Sequence, residues 1–246
     1  MPRTTMKVRL VRHTAQPQEL VALSARLCTS GMDIDKLIAN VESKDQKKLI
    51  DALADRGHMS TFEHATFSFL IEGVSRALLA EITRHRIASF SVQSQRYVSM
   101  RSEDTFDYVL PPPIEALGEE AVQRFHEQMQ TMQVWYNEWA DALGTGEGSN
   151  ENARFVLPNA CATRMMMTMN ARELLHFFSL RCCNRAQWEI RALAWDMLGQ
   201  VAQVAPYLFE KGGPGCVAGA CPEGKTSCGK MDEVREKQRA VMEGQA

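Results

Sequence analysis

The chain has 246 residues, 45% hydrophobic and 24% charged, the make-up of a globular protein long enough to bury a sizeable core. Its formal net charge of −2 argues against a general nucleic-acid binder, which carries a strongly basic surface. No apolar run approaches the roughly 20 residues of a membrane span, and the opening Met-Pro-Arg-Thr-Thr-Met-Lys lacks the apolar stretch of a signal peptide, so the expectation is a cytoplasmic protein with no membrane partner.

Taken in chain order, residues 6–11 alternate Met6, Val8 and Leu10 with Lys7 and Arg9, which predicts a strand. Residues 17–56 carry helical spacing in pieces, the clearest closing at Arg56-Gly57. In 65–72, Phe67, Phe69 and Ile71 alternate with Thr66, Ser68 and Glu72, a second strand that Gly73 is expected to end. Residues 75–86 read as helix, placing Arg84-His85-Arg86 at its C-terminus. Pro111-Pro112-Pro113 reads as a stiff extended spacer. Val122, Phe125, Met129, Met132 and Tyr136 then recur at three- and four-residue steps, a long amphipathic helix ending near Gly144. Residues 144–151 read as a plain polar linker, because the glycines follow a helix and lack a Gly-Lys ending. Met165, Met167 and Met169 mark a third strand with methionine as core filler. Helices follow over 171–181 and 186–204, and a short charged helix over 230–242. Strands and helices alternate irregularly, which predicts an α/β or α+β fold with one main sheet.

The segment 84–97, Arg-His-Arg-Ile-Ala-Ser-Phe-Ser-Val-Gln-Ser-Gln-Arg-Tyr, is the densest chemistry in the chain. A core does not absorb such charge without partners, and the planar fork of arginine matches phosphate oxygens. A small, multiply charged ligand such as a nucleotide is the natural partner; a favourable helix-end placement of positive charge is the bland alternative. A second polar cluster comprises Asn170, Arg172, His176, Arg181, Arg185, Gln187, Trp188 and Glu189, with Arg172 and His176 four apart on one helical face. Ser60-Thr61-Phe62-Glu63-His64 reads as a turn, with capping favoured over ligand binding.

The seven cysteines are odd in number and read as reduced thiols, none standing out as a nucleophile. Cys216, Cys221 and Cys228 lie in a Gly/Pro-rich tail. They are one ligand short of a zinc site and lack a Cys-x2-Cys hook, so no metal is expected among the functional residues.

Arg84-His85-Arg86, seven intervening residues, Ser94 and Arg96-Tyr97 resemble the signature of the flavin-dependent thymidylate synthases. Thr61-Phe62-Glu63-His64, Ala153-Arg154-Phe155-Val156-Leu157-Pro158 and the block from Asn170-Ala171-Arg172 to Ala186-Gln187-Trp188-Glu189 are similar to that family's further motifs, in the right order over about residues 57–195. The resemblance implies a single domain over residues 1–210, with a central, mostly antiparallel sheet flanked by helices and a Cys/Gly-rich tail over 211–246. It implies a homotetramer whose active sites are shared between subunits. It further implies FAD, reduced by NADPH, and conversion of dUMP to dTMP with 5,10-methylenetetrahydrofolate as the one-carbon donor.

Carried over by resemblance, Ser60, Glu63, Arg84, His85, Arg86, Ile87, Val92, Asn170, Arg172 and His176 are flavin contacts. Glu81, Arg84, Gln93, Ser94, Gln95, Arg96, Arg154 and Arg181 are dUMP contacts, and Arg181 is the residue that favours ionisation at uracil N3. Glu81 departs from the family's usual glutamine, Val92 from a polar or acidic residue, and Arg185 stands where histidine is frequent. Ser94 has no local base to activate it, so it reads as a hydrogen-bonding group. Two other readings stand beside this one: a non-catalytic nucleotide- or RNA-binding protein using the same basic clusters, and a zinc-stapled tail, which is compatible with either.

Overall fold

A computed structural model describes residues 3–244. In chain order the elements are β1 (Lys7–His13), α1 (Pro17–Leu27), α2 (Ile34–Glu42), α3 (Lys47–Asp55), a 3₁₀ turn (Met59–His64), β2 (Thr66–Ser75), α4 (Arg76–Ile82) and β3 (Ala88–Val92). There follow α5 (Pro112–Glu115), α6 (Glu119–Ala142), α7 (Glu147–Ala153), β4 (Ala162–Asn170), α8 (Ala171–Arg181), α9 (Trp188–Val204), α10 (Pro206–Phe209) and α11 (Met231–Met242). The strands form one sheet of order β1-β2-β4-β3, antiparallel throughout. The expected sheet flanked by helices is therefore present. No helix among the described residues is long and apolar enough to cross a membrane.

The chain divides into two compact units. One comprises residues up to Lys7, Ile71–Arg84 and Phe90–Met166. Its cores gather Phe106, Tyr108, Leu110, Met129 and Cys161, and separately Tyr136, Ala140 and Ala153. Tyr136 ties α6 down: its hydroxyl accepts from Met100 N at 3.0 Å and donates to Asn150 Oδ1 at 3.3 Å.

The other unit comprises Val8–Leu70, His85–Ser89 and the chain from Met167 onward. Phe67, Phe69, Phe177, Phe178 and Phe209 are fully buried there. Phe209 meets Phe67 and Phe178 edge-on at 5.3 and 6.0 Å. Helix α9 packs against α8, α10 and α11, so the tail that carries α11 belongs to this unit.

The local signals explain the boundaries. Asp33, Ser75, Asn170 and Gln187 each cap a helix by accepting a backbone N–H, satisfying donors the first turn leaves open. In β4, Met165, Met167 and Met169 are buried and Met166 is exposed, so the methionines are core filler as expected.

Several expectations are corrected. The helix read over 75–86 stops at Ile82; Thr83 Oγ1 bonds back to Leu79 O at 2.9 Å, and Arg84-His85-Arg86 lies beyond the helix. Residues 88–92 form β3, paired with β4 through Gln93 N to Arg164 O at 2.9 Å; the alternation of Ala88, Phe90 and Val92 with Ser89 and Ser91 carried that signal, and the sequence reading passed over it. The prolines do not stay extended: Pro112 opens α5, where its fixed φ suits a first turn. The polar linker over 144–151 becomes helical from Glu147, held by Ser149 Oγ donating to Ala140 O at 2.9 Å. Strand β2 runs through Gly73 to Ser75. Gly73 has φ +71° and a Cβ there would lie 2.2 Å from Thr5 O, so the strand continues only because this residue has no side chain.

Candidate active site

In the second unit, three side chains form a linear hydrogen-bonded chain. Asn170 Oδ1 caps α8 by accepting from Glu173 N at 2.9 Å, which fixes Glu173 in the first helical turn. Arg181 is the last residue of the same helix. Between them reaches His85, from the connector after α4. Its Nε2 accepts from Arg181 Nε at 3.1 Å, so its proton sits on Nδ1, which donates to Glu173 Oε1 at 3.0 Å. His85 and Glu173 are both buried. Burial is the largest influence on His85 and drives its pKa below 6.5; the Glu173 bond opposes this and the Arg181 charge adds to it. The neutral imidazole is the form that can accept from a guanidinium.

The ligand atoms of His85, Glu173 and His176 lie within 4.8 Å of one another. Both ring nitrogens of His85 are already engaged, so the imidazole has no lone pair to offer a metal. Neither ring nitrogen is left over for a hydrogen bond to a flavin either.

The remaining flavin candidates of this unit are mostly at the surface. Arg172 Nη1 pairs with Glu63 Oε1 at 2.5 Å, bringing two candidates together across 109 positions. Arg86, His176 and Ser60 are exposed, and Ile87 is an exposed apolar side chain beside them in sequence. Thr61 Oγ1 donates to His58 O at 3.1 Å, so the 3₁₀ turn is pinned as the capping reading expects. Asn170 uses its Oδ1 for the cap, and its Nδ2 is not part of that bond.

The dUMP candidates other than Arg181 belong to the first unit, as do Arg84 and Val92 from the flavin set. Ser94 Oγ accepts from Arg96 N at 3.1 Å and Tyr97 N at 3.4 Å, folding Gln93–Arg96 into a turn. Gln95 Nε2 reaches Cys161 Sγ at 3.7 Å. Arg96 pairs with Glu147, and with Glu151 Oε2 at 2.8 Å. Arg154 Nε donates to Glu151 O at 3.1 Å. The structure thus joins Arg96 and Arg154 through Glu151, which the sequence reading passed over; its position three residues before Arg154 was the available signal. Glu81 lies near the end of α4, its carbonyl accepting from Arg84 N at 3.3 Å, and half-buried Val92 ends β3. A cleft of about 510 Å³ in this unit takes in Gln93 with Lys7, Glu72, Arg101 and Arg164, but not Ser94, Gln95, Arg96 or Arg154.

No buried thiol is poised for attack. Burial pushes the Cys161 thiol up to about 11 and the Cys182 thiol further still, so neither forms a thiolate readily at neutral pH. Arginines fit for anions, a buried Glu–His–Arg chain and inert buried thiols describe a binding-and-orienting site that leaves bond chemistry to a bound group.

The profile of a family described as thymidylate synthase complementing protein matches residues 9–207, and the chain belongs to that family. A flavin-dependent thymidylate synthase of Geobacter sulfurreducens is 50% identical over 230 residues, covering 94% of this chain and 97% of the relative. One from Clostridium tetani is 43% identical over 243 residues, covering 94% and 96%. Among solved structures, thymidylate synthase X from Helicobacter pylori, crystallised with FAD and dUMP, is similar with a TM-score of 0.62 and 26% identity over 84% of this chain and 98% of that one. The resemblance read from the four sequence blocks is thereby borne out.

Proposed function

We propose that this chain is a flavin-dependent thymidylate synthase that converts dUMP to dTMP, with 5,10-methylenetetrahydrofolate as one-carbon donor and NADPH as reductant, releasing tetrahydrofolate. The observation that carries this reading is the Glu173–His85–Arg181 chain, which holds a guanidinium at the end of α8 in the family whose named relatives perform that reaction.

The donor set of the second unit fits FAD. Arg86 and Arg172 offer exposed guanidiniums for a diphosphate, and Ile87 offers an apolar surface. Ser60, Glu63, Asn170 and His176 complete that set. When bound, FAD supplies the hydride chemistry. In the first unit, Gln93, Ser94, Gln95, Arg96 and Arg154 bind dUMP, with Glu81 and Arg84 at its edge. Glu147 and Glu151 pair with Arg96 and yield it to the phosphate, which competes for the same N–H groups.

Arg181 acts on the uracil ring. Its guanidinium remains charged, so it stabilises the negative charge that develops at N3 without giving up its own proton. His85 directs that guanidinium by occupying its Nε–H, and Glu173 fixes the His85 tautomer that makes this possible.

The catalytic domain takes residues 1–210, consistent with a family match ending at 207, and 211–246 form a Cys/Gly-rich tail whose α11 packs on α9. The enzyme works as a cytoplasmic homotetramer with shared active sites. Trp135 and Trp139 on α6 and Leu143 at its C-cap, spaced four apart, are each about half exposed and supply an apolar stripe for subunit contact. The test is a dTMP-formation assay with dUMP, methylenetetrahydrofolate, NADPH and FAD, omitting one component at a time. Product must depend on all four, and product formed without FAD overturns the proposal.

A further inference from the structure

The tail is tied to the connector between α8 and α9 by a set of specific contacts. Asn184 Nδ2 donates to Cys228 Sγ at 3.7 Å. Arg185 Nη1 donates to Thr226 O at 2.5 Å, and its Nε lies 3.4 Å from Glu223 Oε2. Arg235 of α11 holds the other side of the loop through Cys216 O at 3.0 Å and Gly219 O at 2.8 Å. At Gly215 the chain passes so close to Pro222 that a Cβ would meet its ring at 2.9 Å, which sets the Cys216 and Cys221 segments against each other. Cys183, adjacent to Asn184, is brought to the Cys228 end of the loop by the Asn184–Cys228 bond. None of the four is in a disulfide.

From this convergence we propose that Cys183, Cys216, Cys221 and Cys228 form a structural zinc site. The sequence offered three thiols and no fourth; the fold supplies Cys183 from 33 positions upstream of Cys216. Four thiolates with no other ligand type suit tetrahedral Zn²⁺, and a closed set of four is a structural site. Neutralising four mutually repelling thiolates is what a divalent cation does best, and each thiol that binds gives up its proton to solvent. In the structure no three of these sulfurs lie within 4.8 Å of one another. Tetrahedral zinc with Zn–S near 2.3 Å needs them about 3.8 Å apart, so binding draws the loop inward. Gly219, Gly224 and Gly229 lie in this stretch with open space around them: a Cβ at any of them would meet nothing within 4 Å. The N–H of Asn184 on the Cys228 sulfur is the kind of outer hydrogen bond that orients a thiolate ligand. Cys183 lies two residues past Arg181, so the ion would staple the tail to the end of α8.

The site does not depend on the catalytic proposal, and its test reads metal. The full chain, purified under reducing conditions without chelator and loaded with zinc, is expected to retain about one zinc per chain by mass spectrometry. Cys183→Ser and Cys228→Ser should each lose at least about tenfold in zinc affinity against a competing chelator, while Cys28→Ser, at an exposed thiol remote from the tail in sequence, should retain wild-type zinc. Cobalt loading of the wild type should give tetrahedral thiolate d–d bands at wavelengths beyond the flavin absorption, a readout that holds even if a serine variant fails to fold. Wild-type chain that holds no stoichiometric zinc, a Cys183→Ser variant that binds zinc like wild type, absence of the cobalt bands, or iron with acid-labile sulfide at these cysteines would each overturn the assignment.

Discussion

Arg181 donates its Nε–H to His85 Nε2 at 3.1 Å, joining residues 96 positions apart. The bond needs a neutral imidazole and an aligned guanidinium at once. It makes the orientation of Arg181 a property of His85 and, one step removed, of Glu173.

In the mechanism we propose, replacing Arg181 removes the charge that stabilises a developing uracil anion. Arg181→Ala should lower the rate of dTMP formation by about 10²- to 10³-fold, the usual loss for a preorganised electrostatic donor. The flavin absorbance of the purified protein should be unchanged. A variant that turns over normally would remove Arg181 from the chemistry.

Glu173→Ala leaves the buried Nδ1–H of His85 without an acceptor, a defect that costs about 1–3 kcal/mol. Chemical denaturation should show that loss, and Glu173→Gln, which keeps an acceptor oxygen, should recover part of it. The rate should fall along the same series if His85 transmits its position to Arg181.

The pH dependence has a definite sign. His85 has a folded pKa below its ordinary 6.5, so the unfolded chain binds protons first as pH falls. The stability it contributes is complete above pH 6.5 and is lost as pH drops through its folded value. Protonation at Nε2 also breaks the Arg181 bond, so the rate should have an acid limb in the same window. In His85→Gln that limb should shift or flatten; an unchanged profile would assign it to another group.

Arg172 and Glu63 form an exposed pair, and such pairs are worth less than about 1 kcal/mol. Arg172→Ala should therefore barely change the unfolding midpoint while weakening FAD retention, measured by flavin fluorescence on dilution. Unchanged FAD affinity would leave Arg172 as a surface ion pair only.

Gly73→Ala places a methyl group against the Thr5 carbonyl at a positive φ. The expected loss exceeds about 1 kcal/mol, because steric overlap adds to the backbone penalty. A thermal midpoint equal to wild type would mean that the approach of Thr5 relaxes freely.

The chain by itself determined its periodic parts and its family. Alternation in Phe67–Ile71 and Met165–Met169 predicted the central strands, and three- and four-residue spacing predicted α6 and α9, because one buried face imposes a local rhythm. The ordered motifs around Arg84, Arg154 and Arg172 were enough to recognise the flavin-dependent synthases. Only the tertiary structure decided that His85 bridges Glu173 and Arg181, that Glu151 joins Arg96 to Arg154, and that Asn184, next to Cys183, reaches Cys228 in the tail. The early end of α4 belongs with these, whereas β3 was legible in the alternation of Ala88, Phe90 and Val92 with Ser89 and Ser91 and was passed over. Each depends on which distant segments pack together, and a partner 88 or 96 positions away leaves no period in the local sequence.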